Sequence, residues 1–170
     1  MYERLTFLLI ALLLITPLYA VEPANEQRLD DVAERGAHIM PFDLEKTMHF
    51  FTKTTRGGIQ QVIVKDKFDT EQIRLIRAHL REISINFANA DFSKPAQIHG
   101  DDMPGLAELR SAQPGQIKVE YEALANGAQI IYTTKSPSLV QAIHQWFDAQ
   151  LSDHARHAAP GQTHPHHPHH

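Results

Sequence analysis

No cysteine occurs in this 170-residue chain, which excludes disulfide staples, a thiol nucleophile and lipid attachment at a leader cysteine. A dominant charge is also missing. Lys and Arg total 16 against 20 Asp and Glu, for a formal charge of −4, so nothing electrostatic points to nucleic acid. No apolar run is long enough for a membrane helix, because Leu5 to Ile15 falls short of a hydrocarbon core of about 30 Å. Three catalytic signatures are absent as well: the H-E-x-x-H zinc motif, a nucleophile elbow and a phosphate-binding glycine loop that opens a helix.

The start of the chain reads as a cleavable secretory signal. Its apolar stretch is broken by Pro17, and Leu18-Tyr19-Ala20 puts a small residue at the cut. Residues 1–20 are therefore expected to be removed, leaving a periplasmic or secreted protein with no membrane association. About 150 remaining residues suffice for one domain with a real core. The expected organisation is an N-terminal extension over 21–41, a folded domain over 42–155 and a disordered His-rich tail over 156–170.

Within the domain one plan occurs twice. Lys46–Thr54 and Ile59–Lys65 are rich in β-branched and aromatic residues around a turn at Arg56-Gly57-Gly58. Asp69 then opens a helix with Gln72 in capping-box position, and Ile73, Ile76, Leu80, Ile83 and Phe87 form its buried stripe. In the second half, Ile117, Val119 and Tyr121 alternate with charged residues, and Asn126-Gly127 signals a hairpin. Ser136-Pro137 starts the matching helix, whose stripe is Leu139, Val140, Ile143, Phe147 and Leu151. Two ββα units imply an α+β fold, a four-stranded antiparallel sheet with helices on one face. A weak helix is expected over Glu26–Glu34, ended by Gly36, and a polar loop over Gln97–Pro104.

Histidine is the residue in excess, with twelve copies. His79 and His144 border the buried stripes of the two helices, and His154 lies on the second stripe's centre line at the helix end. His49 lies on the first strand, where both faces carry apolar residues. Any one of these alone reads as a structural imidazole; several facing one sheet raise the odds of a shared site. The segment His99-Gly100-Asp101-Asp102-Met103 gathers imidazole, carboxylate and thioether, donors that transition metals accept. An ordinary turn in which Asp101 or Asp102 caps a short helix over Leu106–Arg110 explains it equally well. His164, His166, His167, His169 and His170 in the tail would bind copper, nickel or zinc whatever the domain does.

The runs Met40-Pro41-Phe42-Asp43-Leu44-Glu45-Lys46-Thr47-x-His49-x-Phe51, Ile98-His99-Gly100-Asp101-Asp102-Met103-Pro104-Gly105-Leu106 and Ala142-Ile143-His144-Gln145-Trp146-Phe147-Asp148-Ala149-Gln150-Leu151-Ser152-Asp153-His154 resemble a family of small exported, largely uncharacterised bacterial proteins. The resemblance covers nearly all of residues 38–155, and the tail lies outside it. Members often carry the label aspartate carbamoyltransferase. The chain lacks that enzyme's Ser-Thr-Arg-Thr-Arg and His-Pro-x-Gln motifs and has about half its length, so the activity is not expected.

The reading carried forward is a periplasmic protein that binds copper or zinc through a subset of His49, His79, His99, Asp101, His144 and His154, with the tail as an auxiliary site. The rival is a non-catalytic binding module, its partner another periplasmic protein or a small ligand, with structural histidines. A hydrolytic enzyme using a histidine with Asp101 or Asp153 as orienting partner ranks last, for want of a nucleophile.

Overall fold

The computed structural model describes residues 24–161. The signal segment and the tail histidines from His164 on lie outside the described residues. Within them the fold is α+β, with five helices and one five-stranded sheet. Helix α1 spans Glu26–Ile39, and a 3₁₀ turn at Leu44–Lys46 leads into β1 (Thr47–Thr54) and β2 (Gly57–Val64). Helices α2 (Thr70–Ala88), α3 (Ser93–His99) and α4 (Leu106–Ser111) follow. Then come β3 (Ile117–Leu124), β4 (Gly127–Thr134), α5 (Pro137–Asp153) and β5 (Ala158–Pro160). None of the described helices is long and apolar enough to cross a membrane.

The two hairpins join through β2 and β4, giving the order β3-β4-β2-β1-β5. The first four strands pair antiparallel, and β5 adds to the edge of β1 in parallel, so the sheet is mixed and not four-stranded as expected. Ala-Ala-Pro has no strand signature of its own; an unpaired β1 edge recruits it. The His49 N–H donates to the His157 carbonyl at 2.8 Å, and the Gly161 N–H donates to Phe51 at 3.0 Å. Residues 158–160, expected within a disordered tail, are therefore a strand of the sheet.

Period-two burial in β2 and β4 turns one sheet face to the helices. Val62, Ile130 and Tyr132 meet Ile76, Leu80, Phe87, Ile143, Trp146 and Phe147 there in one core. Gly127 is required by packing, since a Cβ there would stand 2.0 Å from the Val62 carbonyl oxygen. The Asp69 carboxylate accepts from the Gln72 N–H at 3.1 Å, as a cap should. The Gln72 side chain does not close the box, and accepts from the Asp43 N–H instead, tying α2 to the start of β1.

Two other expectations change. Helix α1 runs through Gly36 to Ile39. Part of the expected loop is α3, which places His99 at a helix end and under cover. Helix α3 has only seven residues, and its last carbonyls are met by arginines of α1. Arg35 Nε donates to Ile98 at 2.6 Å and Arg28 to His99 at 2.7 Å.

If β5 belongs to the fold, a chain ending at Ala155 should melt lower than one ending at Gly161, by about 5 °C or more. The latter should melt with the full chain in a thermal scan.

Candidate functional site

Four of the six body residues proposed as ligands come together. His49 from β1, His79 from α2, His99 from the end of α3 and His154 just past α5 line one cavity beneath the helices. Its volume is about 50 Å³, enough for an ion or one or two waters and too small for an organic cofactor. All four rings are buried, with His99 at 1% exposure.

The core of the arrangement is a chain of charge-assisted contacts. Arg28 donates to both carboxylate oxygens of Asp153, at 3.0 and 2.6 Å. The same carboxylate meets His99 Nδ1 at 2.7 Å. Nε2 of His99 then faces Nε2 of His154 at 3.2 Å, with the two rings nearly perpendicular. His49 stacks on His154, with ring centroids 5.5 Å apart and planes 7° from parallel. His79 sits on the far side of Phe42, whose ring touches both His49 and His79.

Protonation follows from these contacts. Burial alone would raise the Asp153 carboxyl, but the hydrogen bonds from His99 and Arg28 outweigh it and bring the group down to about 2. Asp153 is thus an anion, and His99 Nδ1 carries the proton that it accepts. Burial lowers the His99 ring, with Asp153 opposing, so the imidazole is neutral and its Nε2 holds a lone pair that faces His154 Nε2. Burial also pushes His49 and His79 down to about 4, and His154 well below its ordinary value. All four are neutral near pH 7, the form in which imidazole binds metal.

The remaining two proposed ligands lie elsewhere. His144 Nε2 sits 3.0 and 2.9 Å from the carbonyls of Thr54 and Gly57, pinning α5 to the β1–β2 turn. Asp101 is exposed and pairs with Arg110 at 2.6 Å. Met103, from the same loop, is buried in the apolar core. Sequence reasoning named Asp153 only in the hydrolytic option and missed Arg28, Met40, Gln60 and Gln150, of which the last three line the cavity. Asp153 did carry a signal. A carboxylate in a helix's last turn opposes the helix dipole, and a buried one demands a partner. Arg28 carried none, since 125 residues separate it from Asp153.

Two polar atoms of the cavity wall, His49 Nδ1 and Trp146 Nε1, are buried with no hydrogen-bond partner among the described residues. Such orphans are uncommon and mark a place where water, an ion or a ligand completes the bonding. Among the described residues no group of three or more His, Cys, Asp and Glu side chains stands at metal-holding spacing. No serine or threonine lines the cavity, so the Asp153–His99 pair has no hydroxyl to activate.

Comparison with protein families, curated proteins and solved structures finds no match to this chain.

Folding keeps His49 and His79 neutral, whereas in the unfolded chain they take up protons as pH falls below about 6.5. Between that value and about 4 the unfolded state binds more protons, so stability must fall with pH, by roughly 3 kcal/mol per ring. Asp153 stays ionised throughout that window and does not offset the loss. Urea denaturation at about pH 7 and about pH 4.5 should show this drop, and a His79→Gln variant should show a shallower one.

Proposed function

We propose that this chain is an exported protein that holds a transition-metal ion, copper or zinc, in the buried cavity, with His99 and His154 as its primary ligands. The observation that carries the reading is the pair of Nε2 atoms 3.2 Å apart, with the other nitrogen of His99 held by a carboxylate. Two nitrogens at that separation, each about 2.0–2.1 Å from one ion, subtend roughly 100°, close to a tetrahedral angle. A ligating histidine typically gives its second N–H to a carboxylate, which fixes the tautomer and raises basicity. Asp153 stands in that relation to His99, and Arg28 in turn fixes Asp153. His49 and His79 supply further imidazoles in the same wall.

The small volume bears on the other readings. About 50 Å³ leaves no room for aspartate beside carbamoyl phosphate, which argues against the activity attached to the resembling family. It also favours an ion over a small organic ligand. The rival reading is a structural network, in which the His154 Nε2–H donates to His99 Nε2 and the chain of contacts serves only to cross-link α1, α3 and α5. Its support is that, among the described residues, no third histidine or carboxylate stands at metal-holding distance from the pair. The tail histidines would add capture sites of lower affinity whichever reading holds.

Metal titration of the purified full chain separates the two. One tight equivalent is expected, lost in His99→Ala and in His154→Ala, and weakened about 10–100-fold in Asp153→Asn. Asp101→Asn and His144→Ala should keep it, because neither side chain reaches the cavity. Weak equivalents from the tail should be common to every variant. If no variant changes the tightest equivalent, the site is structural and the binding-module reading takes its place.

A further inference from the structure

The cavity wall contains one soft donor. Met40, the residue just past the end of α1, lines it together with His49, His99 and His154, and is buried at 7% exposure. Its position is built. The Met40 N–H donates to the Gly36 carbonyl at 2.7 Å, and a Cβ on Gly36 would stand 2.7 Å from the Met40 terminal methyl. Glycine inside a helix costs about 1 kcal/mol relative to alanine. Here it makes the space in which the Met40 terminal methyl lies.

Charge is the second observation. The polar groups of the wall are neutral imidazoles, the amides of Gln60 and Gln150, the Trp146 indole N–H and Lys94. Lys94 is matched by Glu82 at 2.7 Å. The one carboxylate in contact with the imidazoles, Asp153, is already balanced by Arg28. A bound cation therefore receives no net negative charge from its surroundings. The cost of burying an ion grows with the square of its charge, so a divalent ion would be penalised about four times as heavily as a monovalent one. Among the described residues only two imidazole nitrogens converge, which is too few protein donors for a closed zinc site. Thioether sulfur added to imidazole selects copper(I).

Resting on the metal-binding reading above, we infer that the resident ion is copper(I), held by His99 Nε2, His154 Nε2 and the Met40 thioether. The site is charge-neutral before loading and carries a single positive charge after it. Phe42, Leu80, Ile83 and Trp146 in the wall exclude water around it.

The test is anaerobic competition of the full chain against a chromophoric copper(I) chelator, with a parallel zinc(II) titration and copper-edge X-ray absorption at one equivalent. Wild type should take copper(I) more tightly than zinc(II) and show a sulfur neighbour to copper. Met40→Leu, close to isosteric, should keep its melting temperature, lose that sulfur and bind copper(I) about tenfold or more weakly, with zinc(II) affinity unchanged. A copper shell of nitrogen alone, or unchanged copper(I) affinity in Met40→Leu, overturns this inference while the His99 dependence of binding still stands. Equal affinity of wild type and His99→Ala for both metals overturns the site itself.

Discussion

Everything near the cavity depends on one buried carboxylate. Asp153 sits in the last turn of α5, where the helix dipole opposes it and little water remains to solvate it. It is tolerable only because Arg28 grips both its oxygens and His99 donates to one of them. Those contacts connect α1, α3 and α5, beside the arginine bonds from α1 to the last carbonyls of α3. Loss of Arg28 would leave a buried anion with one neutral partner, a costly state. The same clamp sets the tautomer of His99 and turns its Nε2 toward His154, so one constraint orders both the helices and the facing imidazoles.

The sheet and helices divide the remaining work. Strand β1 brings His49 up from the sheet, held from below by the backbone pairing of β1 with the chain around β5. Helix α2 supplies His79, and Phe42 separates that ring from the His49–His154 stack. Helix α1 has two roles, because its first turn carries Arg28 and its end carries Met40. The clamp on Asp153 and the proposed thioether donor thus lie at opposite ends of one helix.

Local patterns made much of the fold legible. The stripes of α2 and α5 follow helical spacing, and both hairpins are marked by β-branched strands around turn residues, so α+β architecture follows from short-range sequence. What escaped is what tertiary contact decides. Ala158–Pro160 becomes a strand only because the edge of β1 is available, and α3 is too short, and too interrupted by Pro95, to show a period. For the site, the histidine count was informative and the most suggestive motif was not. Asp101 reads as a ligand by its neighbours, yet the turn carries it to the surface beside Arg110. His144 borders the buried stripe as His79 does, but its ring meets backbone carbonyls. No sequence spacing distinguishes those two fates, since each depends on what the opposing strand presents.

The central claim is that the facing Nε2 atoms of His99 and His154 form a metal site and do more than share a proton. Long-range ¹H–¹⁵N NMR of the imidazole rings, recorded on the full chain before and after one equivalent of metal, addresses this most directly. The account expects His99 protonated at Nδ1 in the metal-free protein, and both Nε2 signals moving together on loading while His144 stays still. A proton found on His99 Nε2, or metal shifts confined to the tail histidines, would contradict it.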